Sequence, residues 1–536
     1  MKNYFYEEAG VELINEYNKK IDALIEEIKN TPTELEFTGT TYYVSSSMGD
    51  DNNDGKTPET AWKSLEKVNE SRSDFKHGTN ILLKRGDSWR LRPALNIQSG
   101  TTLSTYGEGA KPKIICSVDA SKPSDWEKTE IPNVYKYTGE VGGFERNIGA
   151  IIFDGGRAWG IHTTPCTGIY TPETKDLRVD NGPVFNGLEH YTVPPNSKFE
   201  GPQDLAGNLE FFHDMPNEAL YIYCREGNPA EVFESVELSE RGHGIQICCL
   251  NLEDKVPFKY RDEPVVAAYD ITIDNIHIFG AGTHGIGGGT LKNVLIQNCI
   301  LEWIGGVVQF PIGENIFKRD FVIRLGNAVE AYGSCDNFEM HHNYATQVYD
   351  CCWTVQHLSN SVMSDLHIHD NVAEFANTGS EVWLGEGRVV NMQIHDNFDR
   401  YIGYGYSHQR PSTTHPTDKL ASGWVGAGGF FYGAGNTNMQ CEGNNVCNNV
   451  YMLAGSSSHS LAAVYPDKYN FHDNVYIMED GKKLGAYEPF KGMYTEENIA
   501  ECLEKAQGAE KGTKFYHIKP GQLGDMYKLC VKKFEK

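Results

Sequence analysis

The chain has 536 residues, 39% of them hydrophobic, and a formal net charge of −25 with no long acidic tract. Such a surface repels nucleic acid, anionic membranes and polyanionic polymers such as pectin or alginate, and suits a neutral substrate. Length alone suggests roughly three or four units, a prior that elongated repeat folds break.

The 55 glycines, with abundant Tyr and Phe, fit a chain of many short strands and turns. The thirteen cysteines contain no CxxC pair, although Cys248–Cys249 and Cys351–Cys352 are adjacent. An odd count without a disulfide framework reads as reduced thiols. The opening MKNYFYEEAGVELINEY lacks a basic n-region followed by an apolar h-region, and no apolar run approaches membrane-span length. The expectation is a cytoplasmic protein with no membrane contact.

In chain order, residues 1–37 hold a helix. Leu13, Ile14, Tyr17, Ile21, Leu24, Ile25 and Ile28 recur at helical spacing with Glu and Lys between them. The helix is expected to cap or pack on the main body. Self-association through it is the alternative, which leaves a homo-oligomer open.

At Thr41 the character changes. TYYVSSSMGDDNNDGKTPETAWKSLEKVN reads as a strand, a Gly/Asp/Asn loop and an amphipathic helix with Trp62, Leu65 and Val68 inward. The loop from Gly49 to Gly55 could hold a structural calcium ion, but it lacks the spaced ligands and closing Glu of an EF-hand. A hydrogen-bonded turn is the preferred reading, and no other metal or cofactor is expected. The run from Tyr42 through NILLKRGDSWR and SGTTLSTYGEGAKPKI resembles the opening of many right-handed parallel β-helix carbohydrate-active enzymes. In such proteins that opening covers the end of the solenoid, as any repeat stack requires.

Residues 119–240 are richer in Trp, Pro and Glu. Short alternating strands (NVYKYTG, GAIIFDGGRAWG, NLEFFHD, ALYIYC) between turn clusters predict an inserted β-sandwich.

Residues 38–118 and 241–485 form the predicted repeat body. NFEMHHNYATQVYD (337–350), DLHIHDNVAEFANTG (365–379) and NMQIHDNFDRYIGYG (391–405) share one grammar. An apolar residue (Met340, Ile368, Ile394) precedes an Asn by three positions (Asn343, Asn371, Asn397). Cys441 with Asn444 and Phe471 with Asn474 extend both columns, and Ile296 with Asn298 is a version one residue shorter. Stacked apolar residues fill the inside of a coil, while repeated Asn suits a turn whose amides bond from rung to rung. The fold class is therefore all-β, a right-handed parallel β-helix (solenoid) with an inserted β-sandwich and short helical caps at both ends. His341, His369 and His395 fall one place after the inward position. A structural ladder of rings is preferred there over a metal site. Residues 486–536 lose the repeat. Within them TEENIAECLEKAQG, with its Thr cap and Glu three residues on, reads as a helix covering the open end.

Chemistry concentrates between Gly326 and Arg410. Glu330, Asp350 and Glu381 fall on successive rungs, 20 and 31 residues apart. The repeat register sets Glu381 three positions further along its rung than Asp350, at the scale of paired-carboxylate glycosidases. There about 5–5.5 Å implies retention and about 6.5–9.5 Å inversion, and spacing in sequence leaves the two open. Trp353, Trp383 and Trp424, with Tyr404 and Tyr406, could offer flat faces to a sugar. Gln356, His357, Arg388, His408 and Arg410 could offer polar contacts. For Trp353 the competing reading is a side chain stacked inside the coil.

RLGNAVEAY, VYDCCWTVQH and GSEVW resemble a pattern found in β-helix proteins related to the family 120 glycoside hydrolases, the β-xylosidase type. The resemblance implies a β-helix with a sandwich inserted near its start and a retaining mechanism. It further implies Asp350 as nucleophile, Glu381 as acid/base and Glu330 as a neighbour that orients substrate or tunes a pKa. Cys351–Cys352 departs from the small residue and Gly expected after the Asp. The expected activity is exo-release of a neutral sugar such as xylose from short oligosaccharides. A rival is a lyase or epimerase acting on uronates through Lys318, Arg319, Arg324 or Arg388, which the acidic composition opposes. A non-catalytic carbohydrate-binding β-helix is the third reading.

Overall fold

The computed structural model describes residues 6–163, 200–205, 207–249, 255–310, 323–357, 361–384, 387–409, 427–433, 440–454, 457–462, 469–480, 485–486, 493–494, 510–519 and 521–522. The architecture is all-β in its body, built on long parallel sheets.

Three columns of strands run side by side, and the chain visits them in turn. The first passes through Ala268–Asp274, Leu291–Gln297, Cys335–His341, Ser361–His369 and Gly387–His395, each parallel to the next. The second includes His277–Phe279, Ile300–Ile304, the start of Tyr344–His357 and of Val372–Leu384, and Phe398–Arg400. The third holds Leu95–Gln98, Ile245–Cys248, Ile286–Gly288 and Val329–Tyr332, then the far halves of the same two long strands. Every circuit thus lays its three strands parallel to those of the circuit before it.

The inside of the coil is apolar. Ile273, Ile296, Met340, Ile368, Ile394, Val446 and Phe471 stack in one buried column. Three residues later an asparagine ladder closes the turn. The backbone N–H of Asn343 donates to Asn371 Oδ1 at 3.0 Å, that of Asn371 to Asn397 at 3.1 Å, and that of Asn397 to Asn449 at 3.0 Å. Each side-chain amide also donates to a carbonyl of another rung, satisfying buried backbone groups that no strand reaches. The residues just before the ladder (His342, Asp370, Asp396, Asn448, Asp473) all have φ between 51° and 57°, a left-handed position that Asn, Asp and His tolerate best.

Two expected members of the column are displaced. Cys441 pairs with Val389, and Asn444 Oδ1 accepts from Met392 N–H, so Val446 and Asn449 hold the apolar and ladder places instead. Asn298 occupies the left-handed position at φ 54°, and Cys299 takes the ladder place, its N–H donating to Asn343 Oδ1. The histidines stack as rings, His341 on His369 at 5.0 Å and His369 on His395 at 4.9 Å between centroids, close to the strand spacing.

The chain leaves the second column at Ile115 and rejoins the third at Ile245. Between them lie a five-stranded and a four-stranded sheet, mostly antiparallel, facing each other across Trp126, Phe153, Phe211 and Leu238. The parallel stack continues past residue 485 to Lys514–Ile518, and Tyr6–Glu8 adds a further parallel strand onto it. Helix Val11–Asn30 then lies along the flank of the coil, so of the two expected placements it packs on the main body and does not cap its end. Its buried Ile14, Ile21, Ile25 and Ile28 share a cluster with Ile300, Tyr344, Val372, Val450, Ile477 and Ile518. Twenty residues at about 1.5 Å each span roughly 30 Å, or about six strand spacings, which matches that run. The segment Thr495–Gly508 lies outside the described residues.

In the loop from Gly49 to Gly55 the carboxylates are taken by local donors. Asp51 accepts from Lys63 N–H, Ser64 N–H and Ser64 Oγ, and Asp54 from Lys56 N–H and Thr60 Oγ1. Ten cysteines are free thiols among the described residues.

Asp399 points into the coil, 1% exposed, with no hydrogen-bond partner for either oxygen among the described residues. Burial raises its carboxyl well above the usual range, and Cys352 and Tyr451 adjoin it. A folded pKa above the unfolded value gives stability that is complete below about pH 3.9 and is lost as pH rises. Asp399→Asn should therefore gain on the parent protein by about 1.4 kcal/mol per pH unit above that point. Thermal unfolding from pH 4 to 8 measures this, and a constant difference across the range would refute it.

Candidate active site

The third column presents one face to the outside. Val329, Ala331, Val355 and Val382 are buried in the core, so alternation turns Glu330, Thr354, Gln356, Glu381 and Trp383 outward. Register aligns Gln246, Gly287, Glu330, Thr354 and Glu381 across five adjacent strands. Two of the three expected carboxylates thus stand in one column with Thr354 between them.

Glu330 is nearly enclosed, its side chain 11% exposed. Two amide N–H groups donate to its Oε2, Asn327 Nδ2 at 2.6 Å and Gln356 Nε2 at 3.0 Å, and His284 Nε2 lies 3.1 Å from the same oxygen. Burial nevertheless pushes its carboxyl up to about 7, against the lowering effect of Asn327 and Gln356. At neutral pH this glutamate is poised to hold or release a proton, which a general acid requires.

The histidine is held in one tautomer. Asn327 backbone N–H donates to His284 Nδ1 at 3.0 Å, so Nε2 carries the ring hydrogen. His243 stacks on His284 at 5.1 Å. Burial, then the charge of Arg241, brings the His284 imidazole down to about 3, so it is neutral across the physiological range.

Asp350 stands where the long strand Tyr344–His357 bends. Its partner strand advances two residues, Ala376 to Thr378, while this one advances three, Val348 to Cys351. Glu381 consequently aligns with Thr354, four residues after Asp350 rather than the three expected. The bend is pinned twice: Asp350 N–H donates to Gly326 O at 2.9 Å and Cys351 N–H to Asn327 Oδ1 at 2.9 Å. Gly326, at φ 147°, needs to be glycine, since a Cβ there would lie 2.0 Å from Gly305 Cα. Asn327 therefore links the bend to Glu330.

Glu381 is 8% exposed, and Thr354 Oγ1 donates to its Oε2 at 3.3 Å. The Cys351 thiol, raised by burial and then by the charge of Glu381, also feels Asp350.

The remaining expected site residues divide. Gln356 and Trp383 are cross-strand neighbours on the carboxylate face. Trp353 is 0% exposed in the core and offers no surface to a sugar. The extra residue at the bend causes this, by reversing which side of the strand faces in. Tyr404 packs with Phe375 and Tyr401 in the cluster under the flanking helix. Tyr406 is wholly buried, with its hydroxyl near Gly149 O and Gly305 O. Arg388 belongs to the first column and stacks 4.3 Å from the Tyr260 ring centroid. Buried Arg324 lies 4.3 Å from that of Tyr349. Neither Arg388 nor Arg324 lies in the carboxylate column. The side chains of His357 and His408, and all of Arg410, Trp424, Lys318 and Arg319, lie outside the described residues.

His243, His284, Asn327 and Thr354 were not anticipated. A signal existed: the tripeptide His-Gly-Ile occurs at 243–245 and 284–286, and Ile245 pairs with Ile286. Among the described residues, no group of His, Cys, Asp and Glu is arranged to hold a metal ion, and no helix is long and apolar enough to cross a membrane.

No family model matches the chain. A stretch of 103 residues is 38% identical to lacto-N-biosidase of Bifidobacterium longum subsp. longum, covering 18% of this chain and 6% of that protein. The chain thus spans only a small part of the curated relative it matches. Among solved structures, one described as a glycoside hydrolase aligns over 92% of this chain and 98% of its own, with a TM-score of 0.43 and 11% identity. The GH136 lacto-N-biosidase from Eubacterium ramulus aligns over 95% of this chain and 70% of its own, at 0.39 and 13%.

Proposed function

We propose that this protein is a glycoside hydrolase acting on a neutral sugar by a two-carboxylate mechanism. The observation that carries the reading is Glu330 and Glu381 on one outward column either side of Thr354, with Glu330 raised to about 7 by burial. Glu330 protonates the departing glycosidic oxygen as its bond to the anomeric carbon breaks, and Glu381 takes a proton from the water that forms the new bond to that carbon. Two strand spacings of about 4.8 Å set the two backbones roughly 9–10 Å apart, nearer the range for inversion than for retention. The coil that carries them is read as a right-handed parallel β-helix, the hand that crossovers between parallel strands almost always take.

A second assignment is favoured by Cys351, whose buried thiol is raised by the charges of both Glu381 and Asp350. It makes Asp350 the nucleophile and Glu381 the acid/base of a retaining enzyme, as the resemblance implies. The net charge of −25 disfavours uronate polymers. Exo-action on short oligosaccharides in the cytoplasm completes the reading.

A panel of aryl xylosides, glucosides, arabinosides, galactosides and lacto-N-biosides tests it, with ultraviolet absorbance monitored for unsaturated products. Hydrolysis of at least one glycoside is expected, and unsaturated product without hydrolysis would favour the lyase. The anomer first released, read by proton NMR, separates the two assignments: inversion supports Glu330 with Glu381, retention supports Asp350 with Glu381.

A further inference from the structure

We infer that Gly289, Tyr332, Gln356 and Trp383 form a ledge that holds two linked units of a neutral oligosaccharide lying along the coil. This rests on the reading of the neighbouring carboxylates as those of a glycoside hydrolase, and it adds Tyr332 as a substrate-binding residue. Tyr332 is 47% exposed, while every other Phe, Tyr and Trp among the described side chains is buried or half-buried. It stands two residues after Glu330 on the same strand, as Gln356 follows Thr354 and Trp383 follows Glu381.

Ala331, Val355 and Val382 are buried between these pairs, so alternation puts both rows on the outer face. The register aligns Tyr332, Gln356 and Trp383 across three adjacent strands, about 6–7 Å along from Glu330, Thr354 and Glu381. Tyr332 and Trp383 are two strand spacings apart, roughly 9–10 Å at the backbone, the reach of two linked sugar rings. Each ring offers an apolar face and a polar tip. Gln356 between them gives its Nε2 to Glu330, which leaves its amide oxygen for a sugar hydroxyl.

The strand before Tyr332 adds no bulk. It ends in Gly287–Gly288–Gly289, with Gly287 opposite Glu330 and Gly288 opposite Ala331. Over Gly287 the space is filled, since a Cβ there would lie 2.8 Å from His243 Nδ1. Over Gly289 it is open: a Cβ would meet nothing nearer than Tyr332 O at 3.9 Å. The glycine thus leaves a notch where a larger side chain would stand next to Tyr332. An exposed ring beside an unfilled notch suits a neutral sugar, whose faces are apolar and whose edges carry hydroxyls. None of the four ledge residues carries a charge to hold an ionic ligand.

The test is equilibrium binding of xylobiose, cellobiose, lactose and lacto-N-biose to the full-length protein, followed by saturation-transfer proton NMR. At least one should bind, and more tightly than its component monosaccharides. Tyr332→Ala removes the ring, and Gly289→Leu fills the notch at a position that needs no left-handed backbone. Each should weaken that binding by about three- to tenfold, while Tyr332→Phe, which keeps the ring, should stay within about twofold. Parent affinity in both Tyr332→Ala and Gly289→Leu, no disaccharide binding at all, or no preference over the monosaccharides would overturn the inference. Should one variant not fold, the other decides. Binding does not require turnover, so the ledge and the hydrolase reading fail separately. A disaccharide held through Tyr332 but never cleaved upholds the ledge and removes the hydrolase reading. Cleavage with an unchanged KM in Tyr332→Ala keeps the hydrolase reading and removes the ledge.

Discussion

Glu381→Gln is expected to lower kcat/KM for aryl glycosides by about 10²- to 10⁴-fold while leaving the unfolding midpoint unchanged. The amide matches the carboxylate in shape, and its oxygen can still accept from Thr354 Oγ1. The loss is therefore chemical and not structural. Glu330→Gln should behave differently with leaving group. A dinitrophenyl glycoside, which departs with little protonation, should suffer less than an alkyl glycoside, because a missing acid matters most when the leaving oxygen is basic.

The pH profile carries the same logic. A general acid works in its protonated form, so parent activity should fall as pH rises past the Glu330 pKa of about 7. Glu330→Gln should lose that limb. Rate measurements across pH on both leaving groups check each point. Equal losses on the two substrates, with the limb intact, would reject Glu330 as the acid and favour Asp350 with Glu381.

The second large effect concerns stability. Trp353→Ala should cost about 3–5 kcal/mol, because the indole fills the coil between Val329 and Ser380 and is 0% exposed. Trp383→Ala, on the outward face, should cost under about 1 kcal/mol and instead weaken substrate binding. Equilibrium urea denaturation separates the two. A Trp353→Ala protein with parent stability and reduced substrate affinity would return that tryptophan to the groove.

The repeat was readable because its grammar is local. Met340, Ile368 and Ile394 lead to Asn343, Asn371 and Asn397 at constant spacing, and side chains at equal places in successive circuits must stack. Composition and patterning thus pointed to a parallel all-β coil, an inserted pair of sheets and a carboxylate-bearing face. The expected continuation at Cys441 and Asn444 failed because the same spacing recurs one short strand later, at Val446 and Asn449. Only pairing with Ile394 distinguishes the two.

The amino-acid sequence by itself determined the periodic core, the turn asparagines, the stacked histidines and the presence of Glu330, Asp350 and Glu381 on neighbouring circuits. The tertiary structure alone decided what those carboxylates experience. One extra residue at Tyr349–Asp350 reverses the alternation, which sends Trp353 inward and aligns Glu381 with Thr354. Glu330 is enclosed beside His284, on which His243 stacks, and these two precede it by 46 and 87 residues. The two-sheet insertion separates the stretch carrying these histidines from the opening circuits, and the short repeat His-Gly-Ile that marks them says nothing of the carboxylate they adjoin. A pKa is set by burial and by every nearby donor and charge in space, and a linear sequence does not contain that environment until the coil is wound.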